Sequence, residues 1–289
     1  MTVPRRRKIQ AILAMTLAAS TLAAMWLPLR EAQRFHVPSQ RETRAAQDLF
    51  AQALADHDAA AIGPGAQRLG LAAASLEGAA GLVLAEPSGD CAGRGAYALR
   101  SEGGLPLALV TPHRGSDRHT GTIADLLFRE QSPAAVAWNT APRTTDATCP
   151  AAGDVTRVPT HYLTAFSLAF ARRYPAGRIV QIHGFARSKR ETAGAADADA
   201  VISDGTEAPG ARLLDVADCL SRLFPERRVA VYPLDTRELG GTTNAQGRAL
   251  RAMGFHGFVH LELATAWRTA LAGDPAERAR LFACLGAGL

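Results

Sequence analysis

Residues 105–117 read LPLALVTPHRGSD, an apolar run that passes directly into a polar turn. The apolar run has the length and composition of a buried strand, and His113 and Asp117 follow it within seven residues. In open sheets whose strands alternate with helices, ligands bind beyond the carboxyl ends of the strands. The stretch therefore predicts an α/β fold in which His113 and Asp117 converge on one ion at that edge. The alternative is a structural turn in which Asp117 caps the next helix.

Apolar runs and helical patterns alternate along the rest of the chain. The alternation predicts a single α/β domain with a mixed, mainly parallel sheet covered by helices on both faces. The stretch 186–210 is rich in Ala, Asp and Gly, and we expect a long loop there, placed as a flap over the site. The predicted strands are 82–85, 105–111, 135–138, 178–182, 229–233 and 257–263. The predicted helices are 122–129, 160–173, 211–224, 245–252, 264–272 and 275–285.

The N-terminus has the pattern of an export segment. Four basic residues at 5–8 precede an apolar stretch over 9–29, which indicates a signal peptide or an uncleaved inner-membrane anchor. A buried N-terminal helix is the alternative. For an export segment, the positive-inside rule places the rest of the chain in the periplasm or on the extracellular face of the cytoplasmic membrane. We expect residues 1–30 to be this segment, 31–60 a helical lead-in and 61–289 the α/β domain.

Composition excludes some classes of function. The 289 residues are 47% hydrophobic and 20% charged, as in globular proteins, and the net charge is +5. No basic run is interleaved with aromatic residues, so we expect no nucleic-acid partner. None of the four cysteines forms a C-x-x-C pair, which argues against a structural zinc cluster. Cys91 and Cys149 lie in loop-like sequence and are the first candidates for a disulfide, whereas Cys219 lies on a helical pattern and is expected to be a small core residue.

Two later strands repeat the pattern of a polar group on an apolar run. In RIVQIHGF, residues 178–185, His183 ends a strand and Gly184 allows close approach of the backbone. In FVHLEL, residues 258–263, strand alternation places His260 and Glu262 on one face. A carboxylate in so apolar a strand needs a cation or a proton-transfer role. The alternatives are a hydrogen-bonded core histidine at His183 and a Glu262 paired with Arg268, while His260 supports Glu262 or lines the pocket.

Two polar loops are candidates for binding substrate. NTAPR at 139–143 supplies Asn139 and Arg143, and Arg143 either holds a substrate carboxylate in a bidentate manner or is a solvated loop residue. LGGTTNAQGR at 239–248 runs into a helix and supplies Asn244. The sequence lacks G-x-x-x-x-G-K-[ST], G-x-S-x-G and H-E-x-x-H. These absences argue against a phosphate loop, a serine hydrolase and the common zincins.

The order of His113, Asp117, His183 and Glu262 resembles that of zinc carboxypeptidases. The segment PHRG at 112–115, the His183-Gly184 strand end and the pairing of 241–247 with Glu262 resemble N-formylglutamate amidohydrolases, and phage-type poly-γ-glutamate hydrolases are similar. The resemblance spans about residues 105–270. It implies a phosphorylase/hydrolase-like α/β fold and a zinc cofactor held by His113, Asp117 and His183, with Glu262 as general base. The spacing of Asp117 departs from the family pattern. The alternatives are therefore that His119 or Asp125 replaces Asp117 as a ligand, or that the site holds no metal.

The predicted function is that of an exported zinc-dependent amidohydrolase, carboxypeptidase-like, with catalytic residues Glu262 and Arg143. Its substrate would be a peptide, an N-acyl amino acid, or a γ-glutamyl or cell-wall-like polymer, bound with the help of Asn139, Asn244 and His260. One alternative is a catalytically inactive, membrane-anchored binding or accessory protein on the same fold. Another is a metal-independent hydrolase that uses His161 or Cys149.

Overall fold

Nine strands join in one sheet in the computed structural model, which describes residues 34–145, 149 and 152–289. They are β1 Ala72–Ser75, β2 Gly81–Ala85, β3 Ala96–Arg100, β4 Leu105–Thr111, β5 Pro133–Trp138, β6 Arg178–Phe185, β7 Ala200–Ser203, β8 Val229–Val231 and β9 Phe258–Ala264. Their order is β1-β2-β3-β5-β4-β6-β9-β7-β8. The central strands β5, β4, β6 and β9 are parallel, and antiparallel pairs flank them. The predicted mixed α/β sheet is confirmed, with its continuous parallel part at the centre.

Helices cover both faces of this sheet, as predicted. They are α1 Gln40–Asp56, α2 Ala59–Arg68, α3 Thr120–Glu130, α4 Tyr162–Arg173, α5 Ala193–Ala196, α6 Ala211–Leu223, α7 Ala245–Ala252, α8 Thr265–Gly273 and α9 Pro275–Gly286. Helices α1, α2, α4 and α7 bury their apolar residues in one core, and α3, α6, α8 and α9 bury theirs in the core on the other face. Burial on two sides explains why the central strands read as continuous apolar runs.

The predicted export segment over residues 1–30 lies outside the described residues. The described part of the chain, Arg34–Leu289, forms one compact unit. Within it, no helix has both the length and the apolar composition needed to cross a membrane. The helix expected in 31–60 is observed as α1, which Ser39 caps by accepting from the Glu42 amide, and its Leu49 and Phe50 are buried against the sheet.

The long loop predicted over 186–210 is wrong. This stretch contains a short 3-10 helix, Arg187–Lys189, followed by α5 and by β7, whose four residues are all buried. Strand β7 pairs with β9 and β8 inside the sheet. The short segment AVIS is flanked by Asp199 and Asp204. Because of these polar neighbours, the hydrophobic pattern of the sequence does not predict a strand there. Strands β1 and β3 were likewise not predicted, because their alanine-rich segments lack the β-branched residues typical of strands.

Two disulfides cross-link the described residues. Cys91 pairs with Cys149 at a Cα–Cα distance of 5.7 Å, which confirms the predicted bridge. Cys219 pairs with Cys284 at 5.4 Å and ties α6 to α9, so the prediction that Cys219 is a small unbridged core residue is wrong. The two helices pack side by side on one face, and this contact brings together cysteines that are 65 residues apart. Because Cys149 is bridged, the alternative in which it acts as a nucleophile is also wrong.

The order of the central strands positions the polar residues. Strands β4, β6 and β9 are adjacent and parallel, so their carboxyl ends meet at one edge of the sheet. His113 lies in the turn directly after β4. In the β6–β9 register, His183 is paired with Glu262 and Gln181 with His260. Partners in a parallel pair project from the same face, and three strands therefore deliver their polar side chains to one place.

Candidate metal centre

Two imidazoles and one carboxylate converge at this edge of the sheet. The Nδ1 atoms of His113 and His183 lie 3.5 and 3.7 Å from Oδ2 of Asp117. One potential ligand atom from each of the three residues lies within 4.8 Å of the other two. The two imidazole centroids are 5.1 Å apart, and both rings are only 4% exposed. Residues 70 positions apart in the sequence thus form one cluster.

A tight turn after β4 sets the spacing of His113 and Asp117. The amides of Ser116 and Asp117 donate to the His113 carbonyl at 2.9 and 2.8 Å, which brings the Asp117 side chain back beside the histidine. Oδ2 of Asp117 also accepts from the Gly184 amide at 3.1 Å, which fixes the carboxylate to β6. The alternative in which Asp117 only caps the next helix is not observed, because His119 occupies the N-cap position of α3.

The far nitrogen of each imidazole faces an acceptor. Nε2 of His113 is 2.9 Å from Oδ1 of Asp154, and Nε2 of His183 is 3.4 Å from Oε1 of Gln181. These acceptors assign the proton to Nε2 in both rings, which leaves each Nδ1 with a lone pair directed towards Asp117. Nδ1 of His113 is buried and has no hydrogen-bond partner. An orphaned buried acceptor of this kind is what a cation would satisfy.

The donor set fits zinc. Two neutral imidazole nitrogens and a carboxylate oxygen are typical zinc ligands, and tetrahedral bonds of ~2.0–2.2 Å place ligand atoms roughly 3.3 Å apart. The observed separations of 3.5 and 3.7 Å approach this value. Three protein ligands leave one tetrahedral position open, as in catalytic rather than structural sites. Neither alternative ligand, His119 or Asp125, belongs to this cluster of described residues. Asp125 instead forms an ion pair with Arg129 on α3.

Asp154, which was not predicted from the sequence, supports His113 from behind. Its Oδ1 accepts from the Thr156 hydroxyl at 2.6 Å as well as from His113, and its Oδ2 is 2.8 Å from Nη2 of Arg143. Burial raises the pKa of Asp154, but the bonds to His113 and Thr156 and the charge of Arg143 outweigh burial and hold the pKa well below its usual range. Asp154 is therefore a permanent carboxylate that fixes the His113 ring.

A chain of amides supports His183. Oε1 of Gln181 accepts from Nδ2 of Asn244 at 2.6 Å, and Nε2 of Gln181 donates to Gln246 at 3.3 Å. Gln246 donates in turn to the Thr164 hydroxyl at 2.9 Å. Oδ1 of Asn244 accepts from the Gly247 amide and so caps α7. The observed contacts of Asn244, predicted to bind substrate, are with the chain itself, although it also lines the cavity beside the centre.

Glu262 lies beside the centre on β9. Its Oε1 is 3.3 Å from Nε2 of His260, and the His260 ring lies against His183 in a tilted arrangement with centroids 4.4 Å apart. Val259 and Leu261 point to the opposite core, which confirms the predicted alternation. Burial raises the pKa of Glu262, but the His260 contact and the nearby histidines outweigh it and lower the pKa. Glu262 is therefore available as a base.

Arg268 directs its side-chain donors away from Glu262. Its donors go to the carbonyl oxygens of Leu263 and Phe185, at 3.0 and 3.3 Å, and to the Arg118 carbonyl. No ion pair joins it to Glu262 within the part of the chain that the structure describes. The alternative of a purely structural Glu262–Arg268 pair is therefore wrong, because the guanidinium donates its hydrogen bonds to backbone carbonyls.

The histidines differ in their affinity for protons. Burial and the neighbouring His260 lower the pKa of His183 to about 4, so this imidazole is neutral at physiological pH. Burial also lowers the pKa of His113, but its contacts with Asp117 and Asp154 outweigh burial and raise the pKa above the ordinary value. For Asp117 the penalty of burial is outweighed by both histidines, and its pKa lies well below the usual range. The cluster of carboxylates thus attracts positive charge to the position between the rings.

A cavity of about 210 Å³ opens at the centre. The predicted residues that line it, besides the three ligands, are Arg143, Asn244, His260 and Glu262. Asn139 is not brought there: it is buried, its amide donates to the Ala141 carbonyl at 2.6 Å, and it is absent from the cavity lining.

His161 belongs to another part of the fold. It caps α4 by accepting from the Leu163 amide, and its other nitrogen is 2.7 Å from the Gly93 carbonyl. Burial lowers its pKa to about 4. These contacts occupy both ring nitrogens, so the alternative of a metal-independent hydrolase built on His161 has no support in the geometry.

No protein-family model matches this chain, and no curated protein is a significant match. Among solved structures, an N-formylglutamate amidohydrolase from Ralstonia eutropha JMP134 is 14% identical, with a TM-score of 0.41 over 65% of this chain and 96% of that one. A metallo-carboxypeptidase from Burkholderia cenocepacia is 12% identical, with a TM-score of 0.38 over 77% of this chain and 67% of that one. A zinc-free YNDL structure is 13% identical, with a TM-score of 0.39 over 67% and 90%. Two of the three families named in the sequence analysis, the N-formylglutamate amidohydrolases and the carboxypeptidases, occur among these neighbours. Because the TM-scores are below 0.5, the assignment of roles rests on this chain's own side chains.

Proposed function

We propose that this protein is a zinc-dependent hydrolase of amide bonds. The observation that carries the proposal is the convergence of the His113 and His183 imidazoles on the Asp117 carboxylate, with Glu262 lining the same cavity. His113, Asp117 and His183 hold the ion. The substrate is a peptide, an N-acyl amino acid, or a γ-glutamyl or cell-wall-like polymer.

Each residue has a role that follows from its contacts. When bound, zinc supplies Lewis acidity that polarises the scissile carbonyl and lowers the pKa of water. Glu262 accepts a proton from the attacking water at its carboxylate and returns it to the leaving amine. His260 holds Glu262 in place through the 3.3 Å contact. Asp154 and Gln181 keep the Nδ1 atoms of the two histidines free for the ion.

Arg143 is placed to hold a substrate carboxylate. One of its amino groups is bound by Asp154, and 46% of the side chain is exposed. It lines the cavity at the centre and a second cavity that adjoins it. A guanidinium anchored at one end leaves further donors for a carboxylate.

We place this chemistry in an oxidising compartment. Two disulfides support that location, because such bonds persist in exported proteins and are rare in the cytosol. The basic and apolar residues at 5–29 support export through a signal peptide or a membrane anchor. The proposed location is the periplasm or the extracellular face of the cytoplasmic membrane.

Elemental analysis and an amidase screen test the proposal together. We expect about one zinc per chain, loss of zinc from His183→Ala, and retention of zinc without hydrolysis in Glu262→Gln. Glu77→Gln removes an exposed carboxylate and serves as the matched control, which should keep both properties. Zinc bound at this site without hydrolysis in the wild-type chain would favour the binding or accessory protein instead. Zinc that survives His183→Ala would exclude the proposed ligand set.

A further inference from the structure

A cavity of about 430 Å³ lies where β7 ends and β9 begins, away from the metal centre. Its volume is within the ~300–1,000 Å³ typical of small-molecule sites. None of its lining residues lines either cavity at the metal centre. Arg251, in the last turn of α7, lines this cavity, whereas Asn244, which caps the other end of the helix, lines the cavity at the centre. The two residues are about 10 Å apart along the helix. We call this separate cavity the β7–β9 cavity.

The floor of the β7–β9 cavity is apolar. Leu213, Phe255 and Phe258 line it, and each is at most 4% exposed. The Phe258 ring is held against α7, since a Cβ at Gly247 would lie only 2.7 Å from it. A fixed apolar floor with a few polar groups around it is the usual construction of a small-molecule site. An apolar ligand body would be removed from water there.

Arg251 is a partly buried cation beside this floor. Its Nη1 donates to the Asp204 carbonyl at 3.1 Å, and it forms no ion pair with a carboxylate of the described residues. A Cβ at Gly205, where φ is +79°, would lie 2.6 Å from Nη1, so the glycine leaves room for the guanidinium. Burial lowers the pKa of Arg251, and the nearby Asp204 does not offset burial fully. An anion in the cavity would supply the missing counter-charge.

Arg212 is a second cation of the lining without a carboxylate partner among the described residues. Its Nη2 donates to the carbonyls of Ala176 and Gly177 at 2.6 and 3.1 Å, which anchors one end of the guanidinium. The remaining donors of a guanidinium anchored in this way can bind a carboxylate.

Asp204 does not neutralise these two arginines by direct contact. It is the only carboxylate among the lining residues. Its Oδ1 accepts from the amide and the hydroxyl of Thr206 at 3.0 and 2.7 Å, and its Oδ2 accepts from the Gly210 amide at 2.9 Å. Two guanidinium groups facing one carboxylate leave an excess of one positive charge, which matches a ligand with a single negative charge.

We infer that the β7–β9 cavity is a second ligand site, which binds a small monocarboxylate with an aromatic or branched apolar body. The carboxylate pairs with Arg212 and Arg251, and the body lies on Phe255 and Phe258. The inference goes beyond the proposed hydrolase, because this site uses no residue of the metal centre and requires no zinc.

Calorimetric titration of the full chain at neutral pH tests the site with three probes. Indole-3-propanoate carries both the charge and the apolar body, indole-3-propanamide carries the body alone, and propanoate carries the charge alone. We expect indole-3-propanoate to bind at least tenfold more tightly than either of the other two. Equal binding of the indole acid and its amide would overturn the inference.

Variants of the lining locate the bound probe. Arg212→Gln/Arg251→Gln should weaken binding of indole-3-propanoate by roughly tenfold or more, because charge-assisted contacts are lost. Ala208→Phe places bulk at the exposed mouth without changing any charge and should also weaken binding. The matched control is Arg68→Gln/Arg129→Gln, which removes two exposed charges from other helices and should leave binding within about twofold of wild type. Circular dichroism establishes that each variant is folded.

The ligand variant His183→Ala separates this site from the metal centre. Binding of indole-3-propanoate should be unchanged in that variant, even when its zinc is lost. A probe whose binding is lost in His183→Ala and kept in both Arg212→Gln/Arg251→Gln and Ala208→Phe would lie at the metal centre, which would refute the second site and leave the hydrolase standing. Binding that depends on the β7–β9 cavity in a chain without zinc or hydrolysis would refute the hydrolase and leave the second site standing.

Discussion

Removing the carboxylate of Asp154 should weaken zinc binding although Asp154 is not itself a ligand. Its Oδ1 accepts from Nε2 of His113 at 2.9 Å, and its side chain is only 17% exposed, so solvent screens this contact little. In Asp154→Ala the His113 proton is free to move to Nδ1, the atom that must be bare to hold zinc. Loss of such a supporting contact typically weakens metal affinity by ~10–100-fold, which corresponds to about 1.4–2.8 kcal/mol.

Competition with a chromophoric chelator at neutral pH measures this change. Asp154→Asn retains an oxygen acceptor for His113 but loses the charge, and we expect a smaller loss of affinity than in Asp154→Ala. Asp48→Ala removes an exposed carboxylate on α1 and serves as the control. Circular dichroism establishes that each variant is folded. Zinc affinity of folded Asp154→Ala within twofold of wild type would refute the reasoning that Asp154 fixes the His113 ring.

Three further outcomes follow from the structure. Glu262→Gln should lower kcat by ~10²–10⁴-fold while zinc affinity changes little, measured by steady-state kinetics beside the chelator assay, and a fully active variant would exclude the base assignment. Zinc affinity should fall as pH falls, because protons compete with zinc for the Nδ1 atoms of His113 and His183. The pKa of His113 is raised, so the first loss of affinity should come above pH ~6.5. The pKa of His183 is about 4, so its protonation lowers the affinity only in acid. Affinity that is flat between pH 8 and 6 would contradict this order. Cys219→Ala/Cys284→Ala should lower the free energy of unfolding by about 4 kcal/mol in the chain-entropy description of a 65-residue loop, and urea denaturation that shows no loss would show that this bridge does not restrain the unfolded chain.

Local patterns in the sequence were sufficient for most of the fold. The runs that form β4, β6 and β9 are buried on both faces, so most residues in them are apolar and the polar exceptions are conspicuous. His183 and Glu262 were recognised for this reason. Adjacent parallel strands end at one edge, and this rule predicted that His113 would join them.

Short elements escaped the same reasoning. Strand β7 has four residues, too few to show a period, and its place in the sheet depends on hydrogen bonds to β9 and β8 rather than on its own composition. Cys219 and Cys284 each look like small core residues on a helix. Only the packing of α6 against α9 makes them partners.

By itself, the sequence determined which side chains are chemically capable of holding a metal and moving a proton, because strand burial and residue type are local properties. The tertiary structure alone decided which of those side chains are held in place and by what. Asp154 lies 41 residues from His113 in a polar loop where an aspartate is ordinary, and nothing near it in the chain marks it as a partner. Support of a site depends on distances of a few ångströms between segments remote in sequence, and those distances exist only after the sheet has formed.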